Sequence, residues 1–421
     1  MAVPAPSFVL GGVPTIQNLE YPDVFADALG VAFCYGNDSA YEGSALLRCY
    51  RLTPGHRAGV YGAISAVTGR GWRIGFGEAG SEPIASFAVA GLDAALEHHD
   101  TLWEAITLLG RKSEVLWNQD CQVAPNGHAA GFVNAAARVD ASTLRHYVMD
   151  YLTSRRQPLI VLLHVPSVPI VEFALLTGYE AGGDVILGRS PYLGSPPENS
   201  GPEEYFRLSP WEPHVLAAIG IAEESGTDPA PQQLGHLAID NALKHSRSYS
   251  DGPRHYGLAA YDAWERALLD DTAFASACDE VVVQRLQQHS AAAGFIACQK
   301  AFCVMPEFEA PTMGIVTGLA RRAAAGPGLI HGLMWDAWQI VGGYWRAAGS
   351  EGHRRWAGTD EVRRFRDRKE RERAAAVVRR ARDVDAQALA DLQAAKEEWD
   401  RCRGQGGDYP CPCWSRPCAR V

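Results

Sequence analysis

Residues 158–192, PLIVLLHVPSVPIVEFALLTGYEAGGDVILGRSPY, restrict what this chain can fold into more than any other stretch. Three apolar runs, Pro158–His164, Ile170–Thr177 and Asp184–Leu187, each have the length of a strand. A Pro-containing loop separates the first two, and an Ala-Gly-Gly turn separates the last two. Connections this short join antiparallel neighbours, because a parallel crossover needs a dozen residues or more. The stretch therefore predicts a buried antiparallel sheet.

Helical signals surround it. Tyr21–Tyr35 places Val24, Phe25, Ala28, Leu29, Ala32 and Phe33 on one stripe, with Asp23 as the cap. A second helix is expected from Ser81 to about His98, and a third from about Ala141 to Thr153. Further on, strand signals nearly vanish. Leu234–His245, Gly257–Trp264 and Met334–Trp345 read as helices, and a last one from about Thr359 to Arg401 repeats Ala381, Val384, Ala388, Leu392, Ala395 and Trp399 at steps of three and four. Such a stripe buries against a neighbouring helix or a second copy, so a homodimer through the C-terminal helices is one expectation.

A chain of 421 residues exceeds what one core usually supports. Glu223–Gln233, rich in Pro, Gly, Ser and acids, reads as the boundary. We expect an α+β domain over 1–225, an all-helical domain over 232–404, and a disordered Cys/Pro-rich tail over 405–421. The net charge of −10 argues against a nucleic-acid partner. The arginine-rich run 354–382 carries interleaved acids at i,i+3 and i,i+4, which makes it a solvated helix face. No apolar run is long enough for a membrane span or a signal peptide, so the reading is cytoplasmic.

Individual motifs give little chemistry. Gly75-Phe-Gly77-Glu-Ala-Gly80 has the spacing of a dinucleotide fingerprint, but the expected helix opens only at Ser81, so a loop is expected there. Ten cysteines lack the spacing of a disulfide scaffold, and the C-x8-C-x-C-x4-C pattern of Cys402, Cys411, Cys413 and Cys418 fits no common zinc site. No metal site and no cofactor are expected. His164 ends the first sheet strand, where it could share a cleft with Glu172 as an acid–base pair.

The segments Asp23–Leu29, Leu175–Ser190 and Gly257–Trp264 resemble a group of bacterial proteins, the butirosin biosynthesis protein H-like group. In it a papain-like, C39-like N-terminal domain precedes a helical one. The resemblance runs to about residue 402 and is carried mostly by sheet and packing residues. It implies a cysteine nucleophile at the position of Val24, a histidine at that of Glu172, and an orienting acid near Ser190. Valine has no lone pair to attack with, and glutamate is an anion near neutral pH. The implied cleft is then lined by Asp23, Val24, Glu172, Tyr179 and Ser190, with no assigned catalytic residue. Three readings stay open. The first is a catalytically degenerate protein that binds a small amino-acid, peptide or acyl ligand. The second is an acyltransferase or amidase of natural-product assembly that recruits Cys34 or Cys49 with His164. The third is a helix-mediated interaction protein.

Overall fold

The computed structural model describes residues 6–14, 24–35, 57–77, 100–121, 127–164, 171–190, 205–225, 231–301, 314–341 and 359–404. Within them the chain is mixed α+β. The predicted strands are present as β5 (Leu159–His164), β6 (Val171–Glu180) and β7 (Val185–Arg189), each antiparallel to the next. Four further strands complete one path. They are β3 (Arg111–Asn118), β4 (Ala137–Val139), β8 (Phe206–Leu208) and β9 (Val215–Ser225), in the order β4-β3-β9-β5-β6-β7-β8. The short β1 (Phe8–Val9) pairs with the far end of β6, and β3–β4 is the one parallel pairing among the described strands.

Helices cover both faces. On one side lie α1 (Val24–Cys34), α2 (Arg57–Val67), α3 (Asp100–Leu108) and α4 (Gly127–Ala135). Phe25 of α1 meets Phe173 edge to face at 5.0 Å, while Trp103 and Trp117 both pack on Phe132. The opposite face carries α5 (Ala141–Asp150), capped by Asp140 accepting from the Thr143 amide at 2.7 Å and continued by a π turn, Tyr151–Arg155. Its Tyr147 donates to Glu114 at 3.0 Å, and Tyr151 accepts from the Ile221 amide at 3.0 Å. The two tyrosines lie so close to β9 that a β-carbon added at Gly220 would overlap the Tyr147 hydroxyl and the Tyr151 ring. Gly220→Ala is therefore expected to cost about 1–3 kcal/mol through overpacking, read as a lower urea midpoint. An unchanged midpoint would show that α5 can lift off the sheet freely.

Among the described residues from 231 onward the elements are helical with one exception. The helices are α6 (Pro231–His245), α7 (Leu258–Leu268), α8 (Asp271–Phe274), α9 (Asp279–Ala301), α10 (Gly314–Ile340), α11 (Thr359–Arg366) and α12 (Arg368–Gly404). The exception is a hairpin, β10 (Tyr249–Asp251) and β11 (Arg254–Tyr256), turning at Gly252-Pro253. It corrects the all-helical expectation. An Asp-Gly step between two tyrosine-bearing triplets was its local signal. β11 pairs in turn with β2 (Gly75–Gly77), so the first two glycines of the fingerprint-like motif are strand residues, not a phosphate-binding loop.

Two apolar clusters result. The first joins the large sheet to α1–α6 and takes in Val316 and Ala323 of α10 and Ala388, Leu392 and Ala395 of α12. The second gathers Phe76, Trp264, Phe274 and Leu286 with the remainder of α10 and α12. Both long helices thus serve both cores. The stripe on α12 is covered inside the chain, with Val384 and Trp399 packed at its margins. Nor is the arginine run a plain solvated face. Arg366 binds Asp279 at 2.6 Å, Arg368 and Arg371 share Asp271 at 2.6 and 2.5 Å, and Arg382 reaches Asp262 at 2.6 Å. Arg371 is fully buried. The acids that matter sit on α7–α9, a placement that spacing along α12 itself does not show.

Candidate functional site

Alternation along β5 and β6 decides which residues share the α1 face. Leu162 pairs with Phe173, the residue under Phe25, so the next position of β5 on that face is His164. Glu172 pairs with Leu163, in the row of Val161, Ala174 and Ala218 that faces α5. The two positions therefore belong to opposite faces of the sheet. This corrects the expected His164–Glu172 pair, whose failure is a phase error of one residue. It also takes Glu172 out of a shared crevice with the start of α1, where Val24 is the first helical residue.

His164 instead has another imidazole beside it. His214, in the turn before β9, stacks on it with centroids 6.3 Å apart and planes 9° from parallel, and the His164 amide donates to the His214 carbonyl at 2.8 Å. Both rings are half-buried. Nδ1 of His214 is buried without a hydrogen-bond partner. Burial, and secondarily the neighbouring His164, lowers the pKa of His214 below that of a free imidazole. Nothing in the sequence singled out His214, which lies fifty residues from its partner.

A buried amide holds this turn in place. Asn118, at the end of β3, donates through Nδ2 to the carbonyls of Glu212 at 2.8 Å and Val215 at 3.1 Å, on either side of His214. Its Oδ1 accepts from the Asp120 amide at 3.1 Å, and the Trp211 indole donates to the Gly183 carbonyl at 2.9 Å. Asn118→Leu strands the buried Val215 carbonyl and the partly buried Glu212 carbonyl and is expected to cost about 1–3 kcal/mol. The same change should weaken the ring-to-ring contact between His164 and His214, with NMR as the readout. Retention of both stability and contact would show that the strands alone position the turn.

The candidate thiol lies elsewhere. Cys34 ends α1, ten residues and so about 15 Å along the helix from Val24. The adjoining Tyr35 donates to the Gly11 carbonyl, and Leu10 bonds to Thr177 near the other end of β6. Cys34 and His164 therefore stand at opposite ends of the same strand. Cys121 is nearer, since its amide donates to the Asn118 carbonyl at 3.4 Å. Cys34 and Cys121 are half-buried and Cys278 is exposed. Tyr179 is buried far along β6 against Phe8, its hydroxyl unpartnered and its pKa raised by that burial. Ser190 is buried just beyond β7. Asp23, Cys49, the Ser81 helix and residues 405–421 lie outside the described residues.

Among the described residues no three of His, Cys, Asp or Glu come together to hold a metal, and no helix is long and apolar enough to cross a membrane. No protein-family model matches the chain, and no curated protein matches it.

Proposed function

We propose that this chain is a cytoplasmic ligand-binding protein on a papain-like, C39-like scaffold that has lost the nucleophile, and that it takes a small amino-acid, peptide or acyl ligand at the His164–His214 end of the sheet. The observation that carries the reading is a half-buried imidazole pair on the α1 face, at the end where α1 begins with Val24 rather than a thiol. Without the thiol of the familiar dyad, imidazoles bind and polarise a ligand but form no cysteine acyl-enzyme. Thermal-shift measurements with N-acyl amino acids, dipeptides and free amino acids test it. Saturation at a hundred times Kd should add about 2.7 kcal/mol of stability, with no product formed. Turnover of any of these compounds, lost on replacing one cysteine, would overturn it.

Cys121 favours a second reading, an acyltransferase or amidase with a rearranged site, because it is the described cysteine at the same end of the sheet as both imidazoles. A thiol activated by an imidazole reacts with iodoacetamide well ahead of ordinary thiols near neutral pH. Fast labelling of Cys121 that disappears in His164→Gln or His214→Gln would establish this alternative. Labelling no faster than that of the exposed Cys278 would remove it.

A further inference from the structure

We propose that the His164–His214 pair recognises a carboxylate on the ligand and that this carboxylate binds together with one proton. The inference rests on the reading of this end of the sheet as a ligand site. Two parallel rings 6.3 Å apart, joined by the 2.8 Å backbone bond between their residues, form a fixed pair of nitrogen-bearing edges. His214 Nδ1 has no use inside the protein, being buried and unpartnered. A buried polar atom left without a partner costs stability unless a ligand or water meets it.

The charged groups on neighbouring elements have partners of their own. Of the carboxylates on neighbouring elements, Glu212 is bound by Arg145 at 3.1 Å, Asp184 is held by the same guanidinium, and Asp120 accepts from the Ala141 amide at 2.8 Å. Arg145 is thereby committed as well. From α1, Asp27 is buried in the first turn, and the helix N-terminus lies over this face with its positive dipole end. Two stacked imidazoles resist double protonation, because each cation repels the other and burial of His214 adds to the cost. A carboxylate offsets that repulsion for one added proton, so binding and proton uptake are linked. An amide or ester of the same compound offers no charge and gains nothing from the proton.

Histidine-ring NMR on the full chain tests this, with N-acetylglycine and its neutral primary amide as probes between about pH 5 and 8. His164→Gln and His214→Gln assign the signals. The acid should shift both ring signals and raise the midpoint of His214, and its affinity should fall about tenfold per pH unit on the alkaline side. His214→Phe keeps an aromatic ring in the stack and should weaken the acid at least tenfold without lowering Tm. Equal binding of acid and amide, or a pH-independent affinity for the acid, would overturn the proposal and leave the ligand site standing. If neither compound perturbs signals of α1, β5 or β6, the ligand-site reading falls with it.

Discussion

Asp385→Ala should destabilise the protein by about 3–5 kcal/mol, because it leaves the ammonium of Lys300 buried without its counter-charge. Both residues are about 1% exposed, and Nζ lies 3.1 Å from Oδ1. The Tyr261 hydroxyl donates to the other carboxylate oxygen at 3.4 Å, and the ammonium sits 4.9 Å from the centre of the Trp72 ring. The pair thus ties α9, α7 and α12 to the turn Arg70–Trp72, at the level of α12 where one core gives way to the other. Lys300→Met should cost a similar amount, stranding the carboxylate with Tyr261 alone. The double change Lys300→Met/Asp385→Leu should be far less harmful than the sum, since desolvation of both charges is then avoided. Urea unfolding of the four proteins gives the coupling directly. Additive losses would mean that the two charges do not share one dry site.

His289→Phe should stabilise the protein at pH 7 by about 1–2 kcal/mol and flatten its acid sensitivity. The His289 ring is buried between Phe76 and Phe274, with centroids 6.0 and 5.9 Å away, and neither nitrogen has a partner. Burial, with a smaller contribution from Arg285, pushes its pKa down from 6.5 to about 3. The native state therefore refuses a proton that the unfolded chain accepts. Stability is complete above about pH 6.5 and falls as the pH drops, by about 1.4 kcal/mol per unit, until the folded-state value is reached. Across that window the difference between wild type and His289→Phe should widen by roughly 4–5 kcal/mol beyond its value at pH 7. Taking the difference between the two proteins removes the contribution of the other histidines and the carboxylates. Parallel stability curves for the two proteins from pH 7 to about 4 would sink the assignment.

Both effects involve residues with no local signal in the sequence, and the reason is the same in each. Lys300 and Asp385 are 85 residues apart, and Phe76 and His289 more than two hundred. Each looks ordinary on its own helix or strand. Period and turn chemistry are local signals, so they located β5, β6 and β7, the start of α1 and the α12 stripe to within a few residues. The β10–β11 hairpin had a local signal too, in Asp251-Gly252, but its strands are three residues long and its third strand comes from Gly75–Gly77. Short strands gain stability from partners rather than from propensity.

What the chain order determined unaided is an antiparallel sheet of near-continuous apolar strands, a helix laid on it that begins at a valine, and long amphipathic helices after it. These follow from side-chain periodicity alone. Only the tertiary structure decided that positions 164 and 172 fall on opposite faces of the sheet, that Cys34 lies at the wrong end of α1, and that His214 is the neighbour of His164. A strand's pattern says that alternate residues share a side, but not which side the helix will cover. That choice is made by packing between segments far apart in sequence.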